Sequence, residues 1–245
     1  MHNRYRAVTI DDQPDLLLRI DQLGRQSFPR FLFEGDSVFN AGWDRILKEF
    51  PVCQFALFEG EEMVGGGITV PLYWDGTMEG LPNVIDELFP TDQKEPNVLC
   101  AIAGLVVEQH QGKGISRDIL VTMKRIAEKL RFRSLLAPVR PNWKEKYPLT
   151  PIEDYMHWKR EDGLAYDPWI RVHQRLEAPL LRVMPKCIVS TATIQQWQEW
   201  TGLRFFQSGS YVVPGALNTV EINAEEDRGT YIEPAVWMEH TVRNG

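Results

Sequence analysis

The sequence predicts an α+β domain, and three observations predict it. An apolar run from Val98 to Val107 ends in a loop carrying Gly112 and Gly114, and a helical pattern begins at once. Two strand-like runs, Cys53 to Phe58 and Met63 to Tyr73, come before it, joined by a hairpin at Glu59-Gly60-Glu61-Glu62. A further strand, Ser134 to Val139, comes straight after the helix and is ended by Pro141.

Taken in order, Tyr5 to Ile10 reads as the first strand, followed by Asp11-Asp12 and Pro14. Proline is well placed in the first turn of a helix, so Asp15 to Leu23 is expected to be helical. A second helix is expected across Gly42 to Phe50, broken by Pro51. The interval 75–97 holds Gly76, Gly80, Pro82, Pro90 and Pro96 around a short Val84–Phe89 segment, the composition of an insertion or flap. The helix after the glycine loop runs from Ile115 to about Phe132. Ile115, Ile119, Met123, Ile126 and Leu130 give it one apolar face, with Arg117, Lys124, Arg125 and Lys129 mostly off it.

Beyond Pro141 the pattern changes. Residues 151–161 read as a helix bearing Tyr155 and Trp158, and 169–173 alternate like a strand. Residues 193–200 read as a Trp-rich helix before Gly202. Runs at 211–213, 219–222 and 230–232 suggest a closing meander, turned at Asp227-Arg228-Gly229. With no repeat and no linker, residues 1–245 are expected to form one domain: a core over 4–140 and an enlarged C-terminal half over 141–245.

The 245 residues are 43% apolar and 25% charged, which supports an ordinary soluble core. No apolar run approaches the roughly 18 residues of a membrane span. Met1 to Arg6 lacks an apolar leader core, so a cytoplasmic location and no membrane association are expected. Cys53, Cys100 and Cys187 sit in apolar contexts without ligand spacing, which reads as buried thiols and no metal site. A net charge of −7 argues against nucleic acid as a partner and suits a neutral or cationic substrate.

The loop carries the chemistry. The first amides of a helix point outward at the positive end of its dipole, so an anion binds there, and glycines let it approach the backbone. A P-loop needs Gly-x-x-x-x-Gly-Lys-Ser/Thr; here Gly112-Lys113 is followed by Gly114, and Val107 stands where the first glycine belongs. A dinucleotide fingerprint needs a third glycine where Arg117 stands. What remains is Gln-x-x-Gly-x-Gly, spelled by Gln109, Gly112 and Gly114.

Between a strand and a helix, that spelling resembles motif A of the GCN5-related N-acetyltransferase (GNAT) superfamily. The element order β-α-α-β-β-β-α-β over residues 4–140 is also that of the family's core. The resemblance implies an α/β/α sandwich around a mixed sheet, with a splayed strand pair at the acyl-CoA site. It implies acetyl-CoA, or another acyl-CoA, as co-substrate. The arm of CoA would lie along Leu105, Val106 and Val107. Its pyrophosphate would meet the amides of Gln111, Gly112, Lys113, Gly114, Ile115 and Ser116. The Lys113 side chain could equally be solvated, and Ser116 could instead cap the helix.

Family members often carry an asparagine for CoA after the next strand, and a tyrosine about seven residues on that protonates the leaving thiolate. Asn142 fits the first position. Tyr147 lies five residues on and precedes Pro148, a departure that puts its role as acid in doubt; Tyr155 is the alternative. Candidate proton carriers are Glu108 and His110 at the loop and His157 and His173 in the enlarged half. As a strand, 169–173 would point Arg171, His173 and Arg175 the same way, toward a cleft or toward solvent. Histidine titrates near neutrality, which makes His173 the candidate that joins Tyr147 as a working residue.

Six of the eight tryptophans, from Trp143 to Trp237, fall in the C-terminal half. This favours a deep apolar acceptor or acyl pocket over an exposed groove. The expected reaction is acetyl transfer to the amine of a small-molecule acceptor. A stretch running from Pro148 through 167–173 is also similar to GNAT-like domains of polyketide loading modules. That resemblance implies, as an alternative, transfer to an acyl carrier protein thiol or decarboxylation. A non-catalytic acyl-CoA-binding module is the third reading. A homodimer is compatible with all three.

Overall fold

The computed structural model describes residues 4–89 and 94–242. Among them, nine strands form one sheet: β1 (Arg6–Thr9), β2 (Phe55–Glu59), β3 (Glu62–Leu72), β4 (Val98–Val106), β5 (Ser134–Val139), β6 (Leu180–Ala192), β7 (Gly209–Tyr211), β8 (Val220–Asn223) and β9 (Arg228–Thr241). The first four pair antiparallel in sequence order, and β5 then joins β4 in parallel. The long β9 pairs antiparallel with β5 over Val236–Thr241, and with β6 and β8 nearer its start.

Helices cover both faces. On one side lie α1 (Leu16–Ser27), α2 (Arg30–Glu34) and α3 (Ser37–Glu49), burying Ile20, Phe31 and Trp43 against Ile68, Val70 and Cys100. On the other lie α4 (Ile115–Lys129) and α6 (Pro168–Arg175), burying Ile119, Met123 and Ile170 against Leu57, Leu99 and Leu135. Leu99 and Cys100 thus face opposite layers, as do Leu135 and Leu136, the period-two rule of a sheet buried on both faces. Two short helices, α5 (Ile152–Tyr155) and α7 (Ile194–Thr201), complete the set. This is the expected α/β/α sandwich with a mixed sheet.

Several elements differ from the sequence reading. The expected strand at 169–173 is the helix α6. Asp167 caps it, its side chain accepting from the Trp169 and Ile170 amides, and Pro168 occupies the first turn. At about 100° per residue, 171, 173 and 175 cannot share one direction. Arg171 is buried on the Ala165 and Tyr166 carbonyls, His173 is buried elsewhere, and Arg175 is exposed. The helix expected over 151–161 is only the single turn α5. The second N-terminal helix is longer than expected, beginning at Ser37 where Asp36 accepts from Val38 and Phe39.

Strand β6 was not expected at all, because its alternation is broken. Register slips fall between Leu180 and Val183 and between Met184 and Ile188, around Pro185. The described part of 75–97 takes little regular structure, yet it packs rather than hangs free. Leu81, Ile85 and Leu88 are buried, Arg182 reaches the Met78 carbonyl at 2.9 Å, and the Trp237 indole donates to the Pro82 carbonyl at 3.0 Å.

Candidate active site

Strands β4 and β5 pair only at Leu99–Leu135 and Cys100–Leu136. Past that point each keeps its other neighbour, β4 pairing with β3 to Val106 and β5 with β9 to Val139. The two strands therefore part. A cleft of about 340 Å³ opens between them, walled by residues 101–106 of β4 and 137–139 of β5. The parted edge of β4 offers backbone amides and carbonyls without a strand to satisfy them, which suits an extended ligand with amides of its own.

At the end of β4 the glycine loop turns into α4. Gly112 has φ of 77° and Gly114 has φ of 83°, conformations that favour glycine, and a Cβ added at either would meet nothing within 4 Å. The backbone here faces open space. Gly114 is the N-cap residue of α4 and supplies no side chain, so Ser116 does not cap the helix; it lines the cleft instead. Beneath the loop, Lys113 Nζ lies 3.3 Å from His110 Nδ1, and His110 Nε2 lies 2.9 Å from Glu62 Oε1. Since the ammonium can only donate, Nδ1 accepts, and Nε2 carries the proton that it donates to Glu62.

Of the residues singled out from sequence, Leu105, Val106, Gln111, Gly112, Ile115, Ser116, Asn142 and His173 come together as walls of the cleft. Val107, Gln109, Lys113 and Gly114 flank it without lining it; the Val107 amide is bound to the Val64 carbonyl. Tyr147 is elsewhere. Its hydroxyl is 2.8 Å from that of Tyr166, within an aromatic cluster with Tyr155 and Trp158, and the Tyr166 bond pushes its pKa up. Tyr155 is fully buried and donates to Asp167 at 3.0 Å; burial first, and then Asp167, hold it protonated. Glu108 and His157 are exposed outside the cleft, whereas His110 is buried and lines it.

His173 reaches the cleft from α6 beside Trp169, with the ring centroids 4.4 Å apart. Its Nδ1 lies 2.9 Å from Nε2 of His240 on β9. Burial, reinforced by the neighbouring histidine, holds the pKa of His173 well below the usual range. Burial, then Lys124, lowers His240 to about 4. Both rings are therefore neutral at physiological pH.

Four residues of the cleft wall (Phe28, Ile102, Pro138 and Arg140) also line a second hollow, of about 40 Å³, on the α1–α3 side of the sheet. Its other walls include Phe39, Trp43, Cys187 and Glu233. Arg140 Nε donates to Glu233 Oε1 at 2.7 Å and Arg140 also donates to the Gly215 carbonyl, while Glu233 Oε2 accepts from Tyr231 at 2.8 Å. With side-chain exposures of 21% and 3%, this is a buried ion pair standing where cleft and hollow meet. Sequence reasoning missed Phe28, Arg140, Glu233 and His240. The available signal was a titratable residue inside an otherwise apolar strand, Glu233 and His240 in β9. Among the described residues, no group of three or more His, Cys, Asp or Glu could hold a metal ion, and no helix is long and apolar enough to cross a membrane.

A sheet parted over an open glycine loop at a helix N-terminus is the frame of an acyl-CoA-dependent acyltransferase. No family model matches the chain. It is 30% identical over 207 residues to the arginine N-acetyltransferase avaD of Aspergillus versicolor, covering 74% of this chain and 71% of that protein. Among solved structures it is similar to the loading GNATL domain of CurA from Lyngbya majuscula, with a TM-score of 0.60, 16% identity and 98% of each chain covered. It is also similar to the GphF GNAT-like decarboxylase in complex with isobutyryl-CoA, with a TM-score of 0.55, 13% identity, and coverage of 98% of this chain and 100% of that one. The chain belongs to the GCN5-related N-acetyltransferase superfamily.

Proposed function

We propose that this protein transfers an acyl group, acetyl in the first instance, from acyl-CoA to the amine of a small molecule by direct attack. The observation that carries the reading is the parting of β4 from β5 immediately before the open glycine loop. One continuous cleft then offers backbone hydrogen bonds to the arm of CoA and amides to its pyrophosphate. Gln111, Gly112, Ile115 and Ser116 hold the phosphate end, and Leu105 and Val106 the arm. When bound, acyl-CoA supplies an already activated thioester, so the protein has to align the amine, exclude water and stabilise charge.

The acceptor amine reaches the cleft beside Phe28 and Arg140. The hollow behind them, about 40 Å³ and walled by Glu233, is too small to hold the whole acceptor and marks only the side from which it approaches. An ion pair with an aromatic wall suits an acceptor that carries both a charged group and an apolar stem, such as an amino acid or its derivative. The arginine N-acetyltransferase relative makes arginine and arginine-containing small molecules the first acceptors to try.

The test follows free thiol release from acetyl-CoA, malonyl-CoA and isobutyryl-CoA against an amine panel that starts with arginine, and against a phosphopantetheinyl carrier protein. Amine-dependent release from acetyl-CoA supports the reading. Release only with the carrier protein, or carbon dioxide from malonyl-CoA, would move the chemistry to the thiol or decarboxylating alternative. Binding of CoA without any turnover would leave a sensing module.

A further inference from the structure

We propose that His173 serves the acyl donor as a neutral Nε2–H hydrogen-bond donor to its thioester oxygen, and that His240 is the positioning residue that fixes this tautomer. The inference rests on the acyltransferase reading and deepens it.

Place comes first. Trp169, one helical turn before His173 on α6, sits 3.5 Å from where a Cβ at Gly104 would stand, in the parted stretch of β4. His173 packs against that indole and lines the same cleft. The ring is only 1% exposed. Its Nδ1 is taken by His240, so Nε2 is the ring nitrogen left without a protein partner, on a residue that lines the cleft. That nitrogen is buried and unpartnered, and so is Nδ1 of His240 at the far end of the pair.

Two facing nitrogens share one hydrogen, which leaves two arrangements. In one, His173 Nδ1–H donates to His240 Nε2, and the remaining N–H of the pair is stranded at His240 Nδ1. His240 is fully buried on β9, opposite Leu135, and is not part of the cleft wall. In the other, His240 Nε2–H donates to His173 Nδ1, and the remaining N–H is His173 Nε2–H at the cleft. A buried N–H without an acceptor carries a desolvation cost that a bare ring nitrogen bears less heavily. Only the second arrangement lets a bound ligand relieve that cost. Neither ring is charged, because burial and mutual proximity oppose protonation of both. A neutral imidazole N–H keeps its proton and donates only a hydrogen bond, which strengthens as negative charge gathers on the acyl oxygen. No proton changes hands at His173.

Nitrogen-detected NMR of the histidine rings in the full chain, at pH 7, reads the tautomer directly. The expected result is His173 as the Nε2–H form, with a shift of that N–H on adding acetyl-CoA and a smaller one with free CoA, which lacks the acyl oxygen. His240→Phe and His173→Phe are each expected to lower kcat by about 100- to 1000-fold, the loss typical of one such donor. Acetyl-CoA affinity should change less than about threefold, and the double variant should be no slower than His173→Phe, as for residues acting as one unit. A His173 Nδ1–H tautomer, a ring signal indifferent to acetyl-CoA, or full activity in His240→Phe would overturn the proposal while leaving the acyltransferase reading intact. Absence of any acetyl-CoA binding to the wild-type chain would overturn both.

Discussion

Asp167 fastens the helix that brings His173 and Trp169 to the cleft, and its removal should be felt in stability and in turnover alike. The side chain is 2% exposed and accepts four hydrogen bonds. Oδ1 takes the Trp169 amide at 2.9 Å and the Ile170 amide at 3.2 Å, while Oδ2 takes the Trp143 amide at 2.8 Å and the Tyr155 hydroxyl at 3.0 Å. Asp167→Ala deletes a helix cap, about 1 kcal/mol, and two further charge-assisted bonds at about 1.5 kcal/mol each, for a total of about 4 kcal/mol. Asp167→Asn keeps an oxygen for the cap. Its NH₂ group would face the Trp143 amide, which cannot accept, and the Tyr155 hydroxyl, which can turn to do so. The loss should then be about half, near 2 kcal/mol.

Urea unfolding followed by tryptophan fluorescence separates the two. With an m-value of about 2.5 kcal/mol/M, the midpoints should fall by about 1.6 M for the alanine variant and about 0.8 M for the asparagine variant. The kcat of both should fall, that of alanine further, because Trp169 and His173 lose their fixed frame. Equal midpoints for the two variants would refute the division of labour between the oxygens. A drop of less than about 0.4 M for alanine, worth about 1 kcal/mol at that m-value, would refute the view that Asp167 holds α6 in place.

Three further outcomes follow from the same geometry. Glu233→Ala strands the Arg140 guanidinium in a buried setting and should cost about 3–5 kcal/mol in urea unfolding, more than a paired Arg140→Met/Glu233→Leu replacement. Gly112→Trp places a bulky side chain over the open loop, so acetyl-CoA binding measured by calorimetry should be lost with the circular dichroism spectrum unchanged; retained affinity would put the pyrophosphate elsewhere. The His173–His240 pair resists protonation in the folded state, whereas an unfolded histidine binds a proton near pH 6.5, so stability is full above that pH and is lost as pH falls below it. The loss should reach about 2 kcal/mol per histidine at pH 5, and a His173→Phe/His240→Phe variant should flatten the curve.

The strand, loop and helix of the proposed donor half were legible because contiguous residues spell them. A buried strand, two glycines at positive φ and an amphipathic helix follow one another within 98–129, and each is dictated by local chemistry. The mixed sheet was what the resemblance carried by the order of these segments implied. The errors lie where local signals conflicted. Residues 169–173 alternate like a strand, but Asp167-Pro168 is a stronger instruction, a cap followed by a ring that presets helical φ. Weighing the cap above the short alternation would have turned His173 away from the face shared by Arg171 and Arg175, and of the three only His173 lines the cleft.

The proposed acceptor half could not be read in that way, since its residues are brought together from across the chain. Phe28 comes from the end of α1, Arg140 from just past β5 and Glu233 from β9, and nothing in the spacing of 28, 140 and 233 announces a site. The same holds for His173 and His240, 67 positions apart and joined by one hydrogen bond. The difference has a physical origin. On the proposed reading CoA meets mostly backbone, whose conformation a few adjacent residues determine. The acceptor would meet side chains, whose juxtaposition only the completed sheet determines. An acid or a histidine inside an otherwise apolar strand is the trace such a site leaves in sequence, because a buried titratable group needs a partner that the strand itself does not supply. Glu233 and His240 on β9 are two such residues, and their partners Arg140 and His173 both line the cleft.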